Sequence, residues 1–237
     1  MMPVDAFRPF TLTHGVTLLS VAALIALIVL IGRRQRAASP TLFERTLAYA
    51  NLAVWFTAHG YWQMPERFDP VTTLPLQMCH LTSLVASAVF LTRHHALRAV
   101  LFFWAFALCT QALITPSLVE PTHSPIFWAF WFLHGFVMMA AVYDLAVNGF
   151  RSYWREYGIA CAAAAIYVAV VLPIDVLLRA NYGFLGRSTA LHPSIVDLLG
   201  PWPQRLLIIV PLAALAMLVM LLPWLAARKF VLSPPRQ

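Results

Sequence analysis

The sequence predicts an all-α polytopic membrane protein, a bundle of seven transmembrane helices with its amino terminus outside and its carboxyl terminus in the cytoplasm. Three observations predict it. The 237 residues are 61% apolar and 11% charged, with a mean hydropathy of +0.77, whereas a soluble domain is about half apolar and about a quarter charged. Seven apolar runs follow one another, each near the roughly 20 residues that a bilayer core requires. Proline-rich or charged turns separate them, and most arginines and lysines fall on alternate turns. In a soluble protein the net charge of +7 would suggest a nucleic-acid partner. Between apolar runs it describes loops at an anionic leaflet, so nucleic acid is excluded as a partner.

The first run, 12–32, is too long for a signal-peptide core. It follows an acid and precedes Arg33, Arg34 and Arg36, the reverse of signal-peptide polarity, so it is expected to be a retained span. The second, 42–63, carries His59 near its end. After "QMPERFDP" the third, 73–91, opens on "LPLQMCHLTS", with Pro75 in the first turn, where proline is tolerated. Gln77, Cys79 and His80 then fall within its first two turns, roughly 10 Å down. The fourth, 96–115, ends on Gln111 and Thr115. The fifth, 124–147, follows "TPSLVEPTHSP" and holds His134 within "FWAFWFLHGFVMMA". The sixth, 156–178, contains Asp175 near its end.

Next comes "NYGFLGRSTALHPSIVDLLGPWP", long for a helix connection and expected to fold back over the bundle as a lid. Its tryptophan and tyrosine suit the headgroup level. His192 lies within it, and Asp197 is expected to cap the last helix or pair with an arginine. The seventh run, 203–227, contains Pro211 and Pro223, which are expected to kink it. Residues 1–237 form one transmembrane domain on this reading.

Arginine and lysine placement sets direction. Arg33, Arg34, Arg36, Arg45, Arg93, Arg98, Arg151, Arg155, Arg228, Lys229 and Arg236 share one side, and Arg8, Arg67, Arg179, Arg187 and Arg205 the other. The richer side is the cytoplasmic one. The unusual polar residues of the spans then converge on the outer half.

Ionisable groups at membrane depth cost about 2.5–3.5 kcal/mol on insertion scales and usually face the bundle interior or a wet cavity. His134 therefore needs a partner on another span, or is a neutral, hydrogen-bonded core histidine. Cys79 has two readings as well. With Ser83 and Ser87 it forms a small-residue stripe that lets helices approach closely. It is also the one cysteine at the polar, outer end of a span, whereas Cys109 and Cys161 read as packing. A thiol in low dielectric is a poor nucleophile, and a histidine within hydrogen-bond reach can take its proton. Cys79 and His134, on separate spans at overlapping depth, meet that requirement.

His80, about 100° round the helix from Cys79, is a less natural base. Substrate-binding or oxyanion candidates are His59, Gln77, Gln111, Asn181, Tyr182, Asp197 and Trp202. Three dispersed cysteines without a CxxC spacing argue against a disulfide framework or zinc site. His14, His59 and His134 lack the paired spacing of a bis-histidine haem, so no cofactor or metal is expected. His94 and His95 are expected to be solvated. A transporter using Asp175, His134 and Glu120 would call for a broken helix or an inverted repeat, and neither is visible.

"LPLQMC", "FLHG", "NYGFL" and "PSIVDLLGPWP" resemble the YwaF-type integral membrane proteins, a family related to vertebrate transmembrane protein 164. The resemblance runs from the second span to the seventh. The family usually has histidine where this chain has Gln77. The resemblance implies an intramembrane acyltransferase that moves fatty acyl chains between phospholipids through an acyl-cysteine, with Cys79 as nucleophile and His134 as base. It also implies phospholipids as partners, and the chain is expected in a bacterial plasma membrane with, from the arginine placement, the active-site side at the outer leaflet. A distant similarity to lipid hydrolases of the androgen-induced-protein type keeps an ester hydrolase with the same pair as the alternative. A transporter or non-catalytic lipid-binding protein is the competitor from another class.

Overall fold

The computed structural model describes residues 6–188 and 195–232. His192 and Arg236 lie outside the described residues. Among the described residues, seven long helices and no strand are found: α1 (Leu12–Arg34), α2 (Leu42–Trp62), α3 (Met78–Thr92), α4 (His95–Ile114), α5 (Pro125–Ala146), α6 (Trp154–Leu178) and α7 (Leu206–Leu232). Local chemistry sets the ends. Thr11 caps α1 through the His14 amide, and Thr41 and Glu44 form a reciprocal capping box on α2. Ser124 caps α5 with Pro125 at its first position. Left-handed Arg93 and Arg179 close α3 and α6.

Five helices, α1, α4, α5, α6 and α7, are long and apolar enough to cross a membrane. α5 is the most enclosed, with 61% of its apolar window buried, against 11% for α1 and α7. Leu19, Leu24 and Leu27 on α1, Ile166 and Val170 on α6, and Leu212 and Leu215 on α7 point outward, as lipid-facing residues must. α2 and α3 fall short of the criterion. α2 carries Glu44, Arg45, Asn51 and His59, and α3 has 15 residues.

Two details depart from the sequence reading, the start of α3 and the path of α4. α3 begins at Met78, not 73, so Pro75 precedes the helix and Cys79 is its second residue. Two tyrosines account for the delay. Tyr182 Oη accepts from the Leu74 amide at 3.0 Å and donates to the Pro70 carbonyl at 3.0 Å, and Tyr167 Oη donates to the Leu76 carbonyl at 2.8 Å. These bonds hold backbone groups that a helical turn would otherwise use. α4 widens to a π-helix over Trp104–Cys109. α7 runs through Pro211 and Pro223 as one helix.

α3 and α5 occupy the centre: α2 packs on α3, α1 on α5, α4 beside both, and α6 and α7 beyond α4. Successive helices run antiparallel, so the bundle has two polar ends. One holds the start of α2, the ends of α3 and α5 and the start of α4. There Glu44 bonds Arg93 and Asn148, and Arg98 bonds Asp144. The other holds the end of α2 and the starts of α3 and α5, with His59, His80 and His134. Exposed Trp62, Phe68 and Trp128 ring this histidine end, and Tyr153 and Trp154 the arginine end, the placement of aromatic girdles.

Candidate active site

Two helices present the same device at the histidine end. In α2, Trp55 precedes His59 by four residues, and in α5, Phe130 precedes His134 by four. That spacing puts each pair on one helix face. His59 Nδ1 lies 2.7 Å from the Trp55 carbonyl and its ring stacks on the indole, with centroids 4.1 Å apart. His134 Nδ1 lies 2.8 Å from the Phe130 carbonyl, with ring centroids again 4.1 Å apart. A carbonyl only accepts, so Nδ1 carries the proton in both rings. Nε2 is left with a free lone pair. Each imidazole is thus oriented, with Nε2 left to exchange a proton, and the Nδ1 bond helps buried His134 to be tolerated.

The third histidine comes from the first turn of α3. The His80 ring meets that of His59 edge to face at 4.4 Å, and Trp55 Nε1 donates to the His80 carbonyl at 3.0 Å, tying α2 to α3. His80 Nδ1 is buried without a hydrogen-bond partner. All three histidines line one cavity of about 280 Å³, walled also by Thr72, Phe130 and Leu133. That volume lies near the lower bound, about 300 Å³, of small-molecule sites. A small polar group or a short apolar chain would fit it.

Cys79 is half-buried beside this cavity rather than in its wall. It packs on the core formed by α3, α4 and α5, which includes Cys109, Phe136 and Val137. Among the described residues it makes no hydrogen bond to His134, whose recorded bond is to Phe130. The roughly 100° step between successive helical residues explains the split: His80 faces the histidines, and Cys79 faces the core edge.

The remaining candidates are spoken for elsewhere. Gln77 Oε1 accepts from the Gly183 amide at 2.9 Å, and Asp175 Oδ1 from the Tyr182 amide at 2.8 Å. Asn181 Nδ2 donates to Ser188 Oγ at 3.2 Å, and Trp202 Nε1 to the Leu185 carbonyl at 2.9 Å. Asp197 pairs with Arg205, which also donates to the Gly186 carbonyl at 2.5 Å. Burial raises the Tyr182 phenol above its ordinary range, so it stays a neutral donor to Pro70. Gln77 and Tyr182 clamp the segment after α6 onto the start of α3, and the other bonds tie that segment to itself and to α6, none of these residues lining the cavity. Gln111 is exposed at the end of α4 and does not line the cavity.

Other histidines have structural partners. His14 uses both nitrogens, accepting from the Phe10 amide at 3.0 Å and donating to the Leu113 carbonyl at 2.8 Å, so a haem ligand's role does not fit it. His95, expected to be solvated, bonds Glu156 at 2.8 Å across α4 and α6. Among the described residues no group of three or more histidine, cysteine or acidic side chains is arranged to hold a metal. Ser83 and Ser87 do form a packing seam: both hydroxyls meet Asn51 Nδ2 of α2, at 3.0 and 2.8 Å. Cys109 Sγ lies 3.5 Å from Thr82 Oγ1.

Comparison with known proteins gives one match. A model of the TMEM164 family fits residues 9–221, from the residues just before α1 to within α7. Neither the curated proteins nor the solved structures yield a match.

Proposed function

The chain belongs to the TMEM164 family, and from that premise we propose that it is a membrane-embedded acyltransferase moving fatty acyl chains between phospholipids through an acyl-cysteine. The observation that carries this reading is the orientation of His134. Its Nδ1–H is held by the Phe130 carbonyl, and its basic nitrogen is free beside a cavity at the start of the helix that bears Cys79.

In the first half-reaction Cys79 Sγ attacks the ester carbonyl carbon of a donor phospholipid. The S–C bond forms, the ester C–O bond breaks, and His134 passes the thiol proton to the departing lysophospholipid oxygen. In the second, the hydroxyl of an acceptor lysophospholipid attacks the thioester. Its proton returns through His134 to sulfur as the C–S bond breaks. Low dielectric disfavours a lone thiolate. Two features offset that: a neutral base at hand, and the second position of a helix, where the dipole favours negative charge. Catalytic hydrogen bonds are often long in a ligand-free site and close with substrate, so Cys79 and His134 need not be bonded at rest.

Seven spans accommodate this reading. α2 and α3 lie against neighbours rather than wholly in lipid, so their polar residues and shorter length are tolerated. The bundle is one domain with its histidine end at the outer leaflet of the plasma membrane and its arginine end in the cytoplasm.

The test is incubation of the purified chain with labelled phospholipid, then mass spectrometry of the Cys79 peptide and of the released lipids. A thioester on Cys79 and labelled product are expected. No adduct, with an unchanged lipid profile for Cys79→Ala, would falsify the covalent mechanism.

A further inference from the structure

The arginine end contains a second cavity, of about 570 Å³, lined by Arg36, Ala37, Ala38, Arg93, Arg98 and Asn148. Two of its three guanidiniums are fixed from behind by acids. Arg93 Nη2 donates to both oxygens of Glu44 at 2.9 and 2.6 Å, and Nη1 to the Ala37 carbonyl at 2.7 Å. Arg98 Nε donates to both oxygens of Asp144 at 3.0 and 2.9 Å, and Nη2 to the Asn148 carbonyl at 3.2 Å. Glu44 and Asp144 are buried, and the arginines stand between them and the cavity. Each pair is therefore oriented, acid inward and base toward the opening.

Arg36 lines the same cavity and makes no ion pair or hydrogen bond among the described residues. It reaches toward Gly149, where an added Cβ would lie 3.4 Å from its Nη2. With three guanidiniums facing two carboxylates, the wall carries one uncompensated positive charge. Arg93 Nε, a donor, is buried there without a partner. Arg34, in the last turn of α1, is exposed as Arg36 is but does not line the cavity.

We propose that this cavity binds a phosphate group, held by Arg36 against the fixed forks of Arg93 and Arg98. Planar guanidiniums match phosphate oxygens in pairs. A phosphate takes the place of a few waters of about 30 Å³ each, so the cavity has ample room. The group comes either from an anionic lipid headgroup entering from the leaflet or from free phosphate in water. The site is at the opposite end of the bundle from the histidines and is independent of acyl transfer.

The full chain purified in phosphate-free detergent buffer is titrated with inorganic phosphate and, separately, with short-chain phosphatidylglycerol and phosphatidylcholine, with binding read by native mass spectrometry. Saturable binding of inorganic phosphate or phosphatidylglycerol is expected. It should weaken about tenfold in Arg36→Gln, the scale of one charge-assisted hydrogen bond, and be unchanged in Arg34→Gln. Binding of phosphatidylglycerol alone identifies the lipid headgroup, and binding of inorganic phosphate alone identifies the free anion. Arg36→Gln leaves no recorded contact to lose, so its ligand-free melting temperature should match the parent's. No saturable binding of either anion, binding of phosphatidylcholine equal to that of phosphatidylglycerol, or equal losses in Arg34→Gln and Arg36→Gln would overturn the proposal.

Discussion

His134 and His59 owe their chemistry to a backbone atom rather than to an acid. Each Nδ1–H is fixed by the carbonyl four residues earlier, and each ring lies on the aromatic side chain of that same residue. His134→Ala removes the base, and labelled acyl transfer should fall by about 10²–10⁴. Phe130→Ala keeps the carbonyl and so the tautomer, losing only the ring contact. The loss there should be far smaller, and a drop equal to that of His134→Ala would show that the tautomer is not what matters. Cys79→Ala should abolish the thioester, whereas Cys109→Ala and Cys161→Ala should still form it. His80 offers a different reading of stability against function. Its Nδ1 is buried and unbonded, a state that costs about 1–3 kcal/mol. His80→Leu should therefore melt no lower than the parent in detergent while transferring acyl groups more slowly. A lower melting temperature would mean that this nitrogen has a partner in solution.

The seam between α2 and α3 rests on Asn51, whose amide bonds the Ser83 and Ser87 hydroxyls and the Ser83 carbonyl. Asn51→Leu strands those groups and crowds a close approach, so it should destabilise by about 1–3 kcal/mol, read as a lower melting temperature. The clamp on α3 has its own weak point. Gly183 has φ +59, and a Cβ there would come within 2.2 Å of Tyr167 Oη, itself held by the Leu76 carbonyl. Gly183→Ala should loosen the start of α3 and speed proteolysis between Pro70 and Gln77, and unchanged cleavage would argue against the clamp. The helices themselves were legible, since apolar runs and caps such as Thr41–Glu44 are local signals. The start of α3 was not, because tyrosines 91 and 108 residues away from their carbonyl and amide partners hold it open. Nor was the π-helical turn of α4, which has no proline or glycine to mark it. The aromatic-to-histidine spacing of four in "WFTAH" and "FWFLH" was in plain view and points directly at the tautomer. Of the polar residues at the start of α3, His80 lines the cavity and Gln77 bonds the clamp.

The two ends of the bundle differ in charge as much as in chemistry, and insertion must choose between them. Arg33, Arg34, Arg36, Arg45, Arg93, Arg98, Arg151 and Arg155 all flank the arginine end, while Arg8, Arg67, Arg179, Arg187 and Arg205 flank the other. The excess is less free than the count suggests. Arg93 and Arg98 are neutralised by buried Glu44 and Asp144, but those pairs form only after folding, so during insertion all eight charges are available to set direction. On the poorer side Arg205 ends up buried against Asp197 and the Gly186 carbonyl. On the proposed reading, the positive-inside rule puts the arginine end in the cytoplasm and the histidine cavity at the outer leaflet. The expected outcome is a cytoplasmic reporter signal for fusions after α7 and an external one for fusions in the 185–202 segment. Arg33, Arg34 and Arg36 follow the apolar part of the first span and make no ion pair among the described residues. Replacing all three with glutamine should thus mix the two orientations while sparing the stability of correctly inserted protein. Acyl transfer gives a second, independent check of the same placement. In sealed vesicles of known orientation, donor phospholipid confined to the outer leaflet should be consumed first. Preferential use of the inner leaflet would put the histidine end in the cytoplasm and reverse the assignment, whatever the reaction proves to be.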